Sequence, residues 1–410
     1  MGVKGLLQIV KTKDNNISLN DLSGQRCAID MSIWLHRALF CCPVDDKQRT
    51  KKYLKLIDKL LNLFLKAGIT LMAVFDGKNA FPLKWKVNAQ RQDMKQQNLE
   101  KAKQCSPKKK IKYEQRAASI DQRMINSVKF LLQQKNIQYI DAPYEADAQI
   151  GSLYQHKKID FAVTEDSDLL LFGCPKIFTK LKTNGQGNFI SIVKNETPIE
   201  NVIDKHGKLF INFKPMQQLE ASILAGCDYL SSIPKIGLKT SIKLMQQYQS
   251  FENVYKNLLM QSEKYTVPDD YKQNFAKAKI GFLHQYVFVE TENNNWKCES
   301  LNSSSLPQST LKDAIGELIS WSRHPQLESQ DVDILDIEKE QDEEQEKEFA
   351  KMLDMDEDNK VHSAHRKNLN VSKVETIARY YNSDTHQIRY STIRCSLMPY
   401  TTSSSSISSS

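Results

Sequence analysis

Acidic side chains follow four short apolar segments in the first half of the chain, at the point where each segment ends. Because the carboxyl ends of parallel strands lie side by side at one edge of a sheet, we expect these acids to converge. Clustered carboxylates repel one another unless cations lie among them, and hard divalent cations prefer oxygen ligands. The pattern therefore predicts two divalent ions and phosphoryl-transfer chemistry. A further acid follows an apolar helical stretch, and the seven candidate ligands are Asp30, Asp76, Glu145, Asp147, Asp166, Asp168 and Asp228.

Four of these acids form two closely spaced pairs. Asp166 and Asp168 follow an apolar strand, and in extended backbone residues i and i+2 point the same way, so both could face one metal. A similar pair occurs in haloacid-dehalogenase-type phosphatases, where it follows the first strand rather than the fourth. Glu145 and Asp147 stand at a predicted helix start after Pro143, where they could instead cap the helix and complement its dipole.

A long polar and basic stretch lies between Asp76 and Ile137. It has a helix-forming composition but few apolar residues, so we expect it to stand away from the core and to serve function. Within it, Lys84 and Arg91 would share one helix face, roughly 10 Å apart along the axis. Two cations there could neutralise a scissile phosphate opposite the metals, although an ordinary solvated face is the alternative.

The segment CDYLSSIPKIGLKTSIKLM at residues 227–245 predicts a helix, a tight loop and a second helix. The loop and the start of the second helix would expose backbone N–H groups that suit the phosphate of a DNA duplex. Lys235, Lys239 and Lys243 add positive charge beside that loop. The segment is therefore a candidate nucleic-acid contact.

The elements that position these residues alternate between strands and helices through residues 1–230, whereas residues 215–300 look mainly helical. Short apolar strands of this kind indicate an α/β fold, in which a mostly parallel central sheet is flanked by helices on both faces. The acidic stretch at 328–358 and the Ser-rich end have the composition of solvated segments.

Composition limits the partners that this protein can have. The 410 residues carry a net charge of +8, but residues 328–358 hold 15 Asp or Glu and 3 Lys, and residues 359–410 carry +5. Residues 1–327 therefore carry +15, and a basic body around an acidic site suits a polyanion such as DNA. No apolar run of 18 residues indicates a membrane span, and the 8 cysteines show no zinc spacing.

Five segments resemble the acidic and N-terminal motifs of the Rad2/XPG family of structure-specific 5′ nucleases, and they cover about residues 1–295. They are MGVKGLL, AVFDG, YEADAQI, TEDSDLLLFG and AGCDYL. Within the family, PYEADAQI and GCDYLSSI are most similar to the exonuclease branch. The resemblance implies a PIN-like 5′-nuclease fold with a helical arch and a helix–two-turn–helix region. It divides the chain into an N-terminal nuclease region at 1–100, the rest of the arch at 101–130, an internal nuclease region at 131–215, the helix–two-turn–helix region at 216–300 and a largely disordered tail at 301–410.

The same resemblance implies roles for individual residues. The seven acids would bind two Mg²⁺ ions, for which Mn²⁺ could substitute, and Lys84 and Arg91 match the catalytic cations of the arch. The backbone carbonyls of Ser232 and Ile236 would hold a K⁺ ion that bridges to DNA. Residues 34–36 and the following LFCC match a wedge against the DNA junction. The residues expected near the DNA are Gly2, which would pack by the active site after removal of Met1, His36, Lys235 and Lys239.

Two positions depart from the family pattern in ways that bear on substrate contact. Ser32 stands where the family usually has an aromatic residue that stacks on the terminal base, and such stacking is typically worth about 1–3 kcal/mol. Lys235 stands where a glycine is usual, so it could strain the turn or add a phosphate contact. The arch is also less basic than expected around residues 88–90.

The activity implied is a 5′-to-3′ exonuclease on double-stranded DNA with 5′ flap endonuclease activity, working by two-metal phosphodiester hydrolysis in DNA repair or recombination. The expected substrates are nicked, recessed or 5′-flapped duplexes, and the expected state is a nuclear monomer that contacts mismatch-repair proteins. PKKKIK at 107–112 could be an import signal or an arch surface that contacts phosphate. A sliding-clamp motif is not evident, because QSTLKDAI from Gln308 lacks both aromatics. The alternatives are a flap endonuclease of replication and an inactive DNA-binding scaffold.

Overall fold

Seven strands form one sheet, and two more form a hairpin. The computed structural model describes residues 2–12, 16–41, 49–193, 199–291 and 295–318. Within them, the sheet has the order β1-β7-β6-β5-β2-β3-β4, and β8 pairs with β9. The strands are β1 (Ile17–Ser18), β2 (Arg26–Asp30), β3 (Thr70–Phe75), β4 (Gln138–Asp141), β5 (Phe161–Val163), β6 (Lys176–Thr179), β7 (Gln186–Ser191), β8 (Tyr286–Glu290) and β9 (Trp296–Ser300).

Helices connect these strands and continue after the sheet is complete. The described helices are α1 (Leu6–Val10), α2 (Met31–Cys41), α3 (Arg49–Lys66), α4 (Trp85–Gln104), α5 (Pro107–Ala117), α6 (Gln122–Gln134), α7 (Ala146–Gln155), α8 (Lys205–Asn212), α9 (Pro215–Ala225), α10 (Leu238–Tyr248), α11 (Phe251–Met260), α12 (Tyr271–His284) and α13 (Gln308–Ile315). Short 3₁₀ turns precede α4 at Pro82–Lys84 and follow β5 at Asp168–Leu170. Among the helices of these ranges, none is long and apolar enough to cross a membrane.

Five adjacent strands of the sheet, β6-β5-β2-β3-β4, are parallel. β2 pairs with both β3 and β5, β3 pairs with β4, and β5 pairs with β6, all in parallel register. Only β7 and β1, at one side of the sheet, run antiparallel to their neighbours. The prediction of a mostly parallel α/β sheet is confirmed, and the carboxyl ends of β2, β3, β4 and β5 consequently lie at the same edge.

The core lies on both faces of this sheet because successive side chains of a strand point to opposite sides. Ala28 of β2 packs in a core that includes α1 and α7–α12, whereas Ile29 packs in a second core with α2, α3 and α6. Both residues are fully buried. The expectation that helices cover both faces is confirmed, and the sheet is therefore held rigidly where its acidic ends must be placed.

The basic stretch after β3 forms α4 and α5, and α4 buries only Ala102. Trp85 and Met94 expose large apolar surfaces on the same helix. This agrees with the expectation of a helical excursion that stands away from the core. The proposed division of the chain into regions stays a prediction.

Two segments differ from the sequence-based expectation. Residues 227–230 are not helical: α9 ends at Ala225, Gly226 follows with φ +98°, and Cys227 and Leu230 form an isolated antiparallel bridge. The predicted tail begins with an ordered helix, α13, whose Leu311 and Ile315 are buried. The acidic segment at 328–358 and the Ser-rich end lie outside the described residues.

Candidate active site

The seven predicted acids occupy the same edge of the sheet. Asp30 ends β2, Asp76 follows β3, Glu145 immediately precedes α7 and Asp147 lies in the first turn of that helix. Asp166 follows β5, Asp168 begins the next 3₁₀ turn, and Asp228 lies in the loop after α9. Except for Asp76 and Asp228, all are at least nine-tenths buried.

These carboxylates lie close enough for their charges to raise one another's pKa. Burial raises the pKa of Asp30 to about 8, and the negative charges of Asp76 and Asp166 add to the effect. Burial also raises the pKa of Asp147, with contributions from Asp166 and Asp30. The pKa of Asp168 is raised by burial and by the charges of Asp166 and Asp228. The cluster therefore disfavours its own ionisation and has a high affinity for positive charge.

Asp76 links two elements of the site through its two carboxylate oxygens. Its Oδ2 accepts a hydrogen bond of 2.5 Å from the hydroxyl of Ser32 in α2. Its Oδ1 accepts one of 2.9 Å from the backbone N–H of Ala146, the first residue of α7. Because the first N–H groups of a helix have no partner within the helix, Asp76 supplies an acceptor that α7 requires.

Glu145 does not cap α7 with its side chain, so the capping alternative is wrong for this residue. Its Oε1 forms an ion pair with Lys84, and its Oε2 accepts a short hydrogen bond from the Tyr229 hydroxyl. Gln285 also donates its amide N–H to Oε2, at 3.0 Å. Three donors thus fix a carboxylate that is only 7% exposed.

Lys84 and Arg91 approach the acids from the arch. Lys84 Nζ lies 3.8 Å from Asp228 Oδ2, and an Arg91 guanidinium nitrogen lies 3.6 Å from the same oxygen. Burial alone would lower the pKa of Lys84, but the charges of Glu145 and Asp147 outweigh it and raise the pKa. Both predicted cations therefore face the acidic cluster, and Lys84 remains protonated there.

Gly2 fits against the second acidic pair. A Cβ at Gly2 would overlap Asp166 Oδ1 and would lie 2.5 Å from Asp168 Oδ1, and its φ of +72° also favours glycine. The next residue, Val3, donates its N–H to Asp168 Oδ1 at 2.9 Å. The N-terminal segment thus orients one candidate ligand directly.

The second acidic pair is joined by a turn rather than by extended backbone, which corrects the sequence-based geometry. Ser167 between the two acids has helical angles, φ −74° and ψ −22°. Asp166 Oδ1 accepts the N–H of Asp168 at 3.0 Å, so the aspartate side chain stabilises the turn. The two carboxyl groups still interact, because the charge of Asp166 raises the pKa of Asp168.

The donor set suits hard divalent cations. All seven candidates offer carboxylate oxygens, and Asp147 Oδ1 is buried without a hydrogen-bond partner. A buried and unpartnered acceptor is costly unless something satisfies it. Within the described ranges, however, no three His, Cys, Asp or Glu side chains form a ready-made coordination cluster. The assignment of metal ligands therefore rests on donor chemistry and burial.

Of the remaining predicted residues, His36 lies near enough to the acidic cluster for the charge of Asp76 to act on it, whereas Lys235 and Lys239 contact other residues. Trp34 is 3% exposed and packs within the core, while His36 of the predicted wedge is exposed. Partial loss of hydration and the charge of Arg91 lower the pKa of His36. Lys239 pairs with Asp204 at 2.9 Å, and Lys235 donates to the carbonyl of Lys264 at 3.3 Å.

Three of the predicted helix–loop–helix residues lie in the loop just before α10. Ser232 is exposed and Ile236 is buried in the loop that joins α9 to α10. Lys235 in the same loop has φ +71°, a conformation that favours glycine. The departure from the family pattern at this position therefore introduces backbone strain.

Sequence reasoning missed two residues that contact the site. Tyr229 is adjacent to Asp228 in AGCDYL, so its motif could have drawn attention to it. Gln285 lies 140 positions from Glu145, and no local pattern links the two. Burial raises the pKa of Tyr229, and the charge of Glu145 adds to that effect, so the phenol remains a donor.

Comparisons with known proteins agree with the motifs. The XPG N-terminal domain matches residues 1–98, and the XPG I-region matches residues 136–228. Exonuclease 1 of Oryza sativa subsp. japonica is 34% identical over 294 residues, which cover 70% of this chain and 34% of that protein. DNA damage-inducible protein DIN7 of Saccharomyces cerevisiae is 32% identical over 305 residues, which cover 72% of this chain and 68% of that protein.

Among solved structures, the catalytic core of Rad2 in complex with a DNA substrate is similar, with 24% identity and a TM-score of 0.48. That similarity covers 68% of this chain and 80% of the other. The chain spans about a third of the length of the rice exonuclease 1. The alignment with DIN7 covers 68% of that protein at 32% identity, and both XPG regions are present in order. The resemblance is therefore confirmed: this chain belongs to the Rad2/XPG family of nucleases.

Proposed function

We propose that this protein is a metal-dependent 5′-to-3′ exonuclease of double-stranded DNA that also cleaves 5′ flaps. The observation that carries the proposal is the set of seven carboxylates at one sheet edge, faced by Lys84 and Arg91. The relatives named exonuclease 1 support the choice of reaction. The basic body of the chain supports a polyanionic substrate.

Two Mg²⁺ or Mn²⁺ ions would be held by the seven acids. When bound, such ions activate water and stabilise the leaving oxygen of a phosphodiester. Asp147 is suited to direct coordination because one of its oxygens is buried without a hydrogen-bond partner. Asp76 and Glu145 are held by protein donors, so they would present oxygens in fixed directions.

Two basic side chains of the arch would act on the phosphate from the side opposite the metal ions. Lys84 and Arg91 lie within 4 Å of Asp228 and would stabilise negative charge that develops on the phosphoryl oxygens. Terminal nucleotides must leave the base stack to reach the acids, at a cost of a few kcal/mol. Ser32 at the family's stacking position would contribute less to this step than an aromatic residue.

Duplex DNA would be held at the helix–loop–helix between α9 and α10. Lys235 and Lys239 would contact phosphate, and the carbonyls of Ser232 and Ile236 would hold K⁺. His36 on the exposed side of α2 would contact the junction, and Gly2 would allow the strand to approach the acids. This arrangement favours nicked, recessed or flapped duplexes.

The cellular assignment follows from the same proposal. We expect a nuclear monomer that acts in DNA repair or recombination, with mismatch-repair proteins as candidate partners. The segment QSTLKDAI buries Leu311 and Ile315 against the core, which argues against its use as a sliding-clamp peptide. PKKKIK at 107–112, which could be an import signal or an arch surface that contacts phosphate, lies on α5 of the arch.

The decisive test is cleavage of two 5′-labelled DNAs, a recessed duplex and a 5′ flap, with Mg²⁺ and with EDTA. We expect the wild-type protein to release short products from the 5′ end faster than it releases the flap. Asp168→Ala should bind DNA in a gel-shift assay but should not cut it. Retained cleavage by purified Asp168→Ala would contradict the proposed site.

A flap endonuclease is the second candidate, because the same acids would serve both reactions. Dominant single cuts at the flap junction would favour it over an exonuclease. An inactive DNA-binding scaffold would bind both DNAs and cut neither. The presence of all seven acids and both cations argues against the scaffold.

A further inference from the structure

Gln285 lies at the junction of α12 and β8 and is fully buried. Its Nε2 donates a hydrogen bond of 3.0 Å to Glu145 Oε2, and it lies 3.5 Å from the hydroxyl oxygen of Tyr229. Gln285 lies outside both matched XPG regions, which end at residues 98 and 228. A residue from a distant part of the chain therefore touches a candidate metal ligand.

Glu145 is held differently at its two oxygens. Lys84 pairs with Oε1, whereas the Tyr229 hydroxyl and the Gln285 amide both bind Oε2. Two donors on one oxygen restrict rotation of the carboxylate, because turning it would break both hydrogen bonds. Oε1 is consequently directed toward Lys84.

A second buried glutamine provides a comparison. Gln149 of α7 is also fully buried, and it accepts from the N–H of Phe288 at 2.7 Å and donates to the carbonyl of Phe288 at 2.8 Å. Both ends of this amide are satisfied by the backbone of β8. Gln149 therefore fastens the β8–β9 hairpin to α7 without touching a carboxylate.

Stability alone does not explain why a glutamine occupies position 285. Its Oε1 is buried and has no hydrogen-bond partner in the described part of the chain. An unsatisfied buried acceptor is destabilising, so an apolar side chain of similar size would suit a purely structural position better. The glutamine instead provides a hydrogen bond to the carboxylate of Glu145.

The surrounding packing holds this contact in place. α13 buries Leu311 and Ile315 in a small core with Phe81, which precedes Lys84, and Tyr144, which precedes Glu145. The Tyr144 hydroxyl also donates to the carbonyl of Glu317 at 2.8 Å. Tyr286, the residue after Gln285, belongs to the same small core, so the start of β8 and α13 pack together with residues close to the Lys84–Glu145 ion pair.

We infer that Gln285 is a positioning residue of the active site, which orients Glu145 so that Oε1 remains available to Lys84 and to a divalent cation. The inference rests on the proposed nuclease function. Hydrogen-bond partners of metal-binding carboxylates typically alter metal affinity or activity by about 10–100-fold when they are removed. A residue at the start of the β8–β9 hairpin would then orient a candidate metal ligand.

The test compares Gln285→Met with Gln149→Met in the full chain. Mn²⁺ binding without DNA is measured by electron paramagnetic resonance, and single-turnover DNA cleavage and thermal unfolding are measured in parallel. We expect Gln285→Met to weaken Mn²⁺ binding about 10-fold with little loss of thermal stability. Gln149→Met should lower thermal stability and leave the Mn²⁺ affinity of the folded protein unchanged.

Wild-type Mn²⁺ affinity and wild-type cleavage in folded Gln285→Met would overturn the inference while leaving the nuclease proposal intact. A wild-type protein that neither binds Mn²⁺ nor cuts DNA would overturn both. If Gln285→Met does not fold, Gln285→Leu replaces it as the donor-deleting variant. Equal weakening of Mn²⁺ binding by the Gln149 variant would also contradict the inference, because it would assign the effect to hairpin docking.

Discussion

The Ser32 hydroxyl donates a hydrogen bond of 2.5 Å to Asp76 Oδ2, across 44 positions of sequence. The other oxygen of Asp76 accepts the first N–H of α7. Asp76 is therefore held from α2 and from α7 at once. A position where the family usually stacks a base is used in this chain to orient a candidate metal ligand.

Ser32→Ala should weaken the apparent affinity of the cleavage reaction for Mg²⁺. Without the hydroxyl, Asp76 loses one of its two hydrogen bonds within the described residues and keeps the one from Ala146, so we expect the Mg²⁺ concentration for half-maximal cleavage to rise about 10-fold. Titration of Mg²⁺ under single-turnover conditions measures this. Ser32→Thr keeps a hydroxyl and should resemble the wild type, and identical Mg²⁺ curves for the Ala and Thr variants would contradict the role assigned to Ser32.

Gly2→Ala should lower cleavage by about 100-fold or more. The added Cβ would displace the Asp166 and Asp168 carboxylates, and misplacement of reacting groups by about 1 Å can cost that much. Gly5→Ala is a matched control, because Gly5 also has a positive φ, +86°, but a Cβ added there would meet no atom within 4 Å. Both variants carry backbone strain, so an equal loss of activity would assign the effect to strain rather than to the carboxylates.

Asp30→Asn should stabilise the protein more at pH 8 than at pH 5 when no divalent cation is present. Burial raises the folded-state pKa of Asp30 to about 8 from an ordinary value of 3.8. The stability that protonated Asp30 contributes is fully present below about pH 4 and is lost as the pH rises through 8. Asparagine cannot ionise, so the gain in unfolding free energy should grow with pH to a few kcal/mol at most.

Urea unfolding at several pH values in EDTA measures that difference. Asp160→Asn is the control with the opposite sign, because a hydrogen bond from Arg26 lowers the pKa of Asp160. The stability that Asp160 contributes is already complete above about pH 4, so its loss should be constant between pH 5 and pH 8. An Asp30→Asn effect that does not change over this range would show that Asp30 is ionised throughout.

Lys235→Gly should raise the free energy of unfolding by about 1 kcal/mol, because a non-glycine residue in the left-handed conformation costs roughly 1–2 kcal/mol. The φ of Lys235 is +71°. Lys235→Ala removes the same side chain and its hydrogen bond to Lys264 but keeps the strain, so it should give no such gain. Chemical denaturation of the wild type and of both variants measures these free energies of unfolding. Equal stability of the Gly and Ala variants would exclude relief of backbone strain.

Much of the candidate site could be predicted because its signals are local. Short apolar runs that end in acids indicated β2, β3, β4 and β5, and parallel pairing then placed their ends together. Lys84 and Arg91 were predicted on one helix face; Lys84 instead ends the 3₁₀ turn before α4, yet both side chains approach Asp228.

Two predictions of local backbone geometry were wrong, because one side-chain hydrogen bond and one glycine interrupt the regular structure around them. The Asp166–Asp168 pair lies in a turn because Asp166 accepts the N–H of Asp168. Residues 227–230 leave the helix because Gly226 ends it in a conformation with φ +98°. In both cases a single hydrogen bond or a single glycine outweighs the periodic pattern on either side of it.

The sequence alone determined the oxygen donors, their order along the chain and the sheet that gathers them, because apolar periodicity and strand ends are set by neighbouring residues. Only the tertiary structure decided the partners of those donors. Whether Glu145 caps a helix or meets Lys84 and Gln285 depends on contacts across as many as 140 positions. Such contacts arise from the packing of β8 against α7 and of α13 against α12 and the 3₁₀ turn at Pro82–Lys84, and no local pattern encodes that packing.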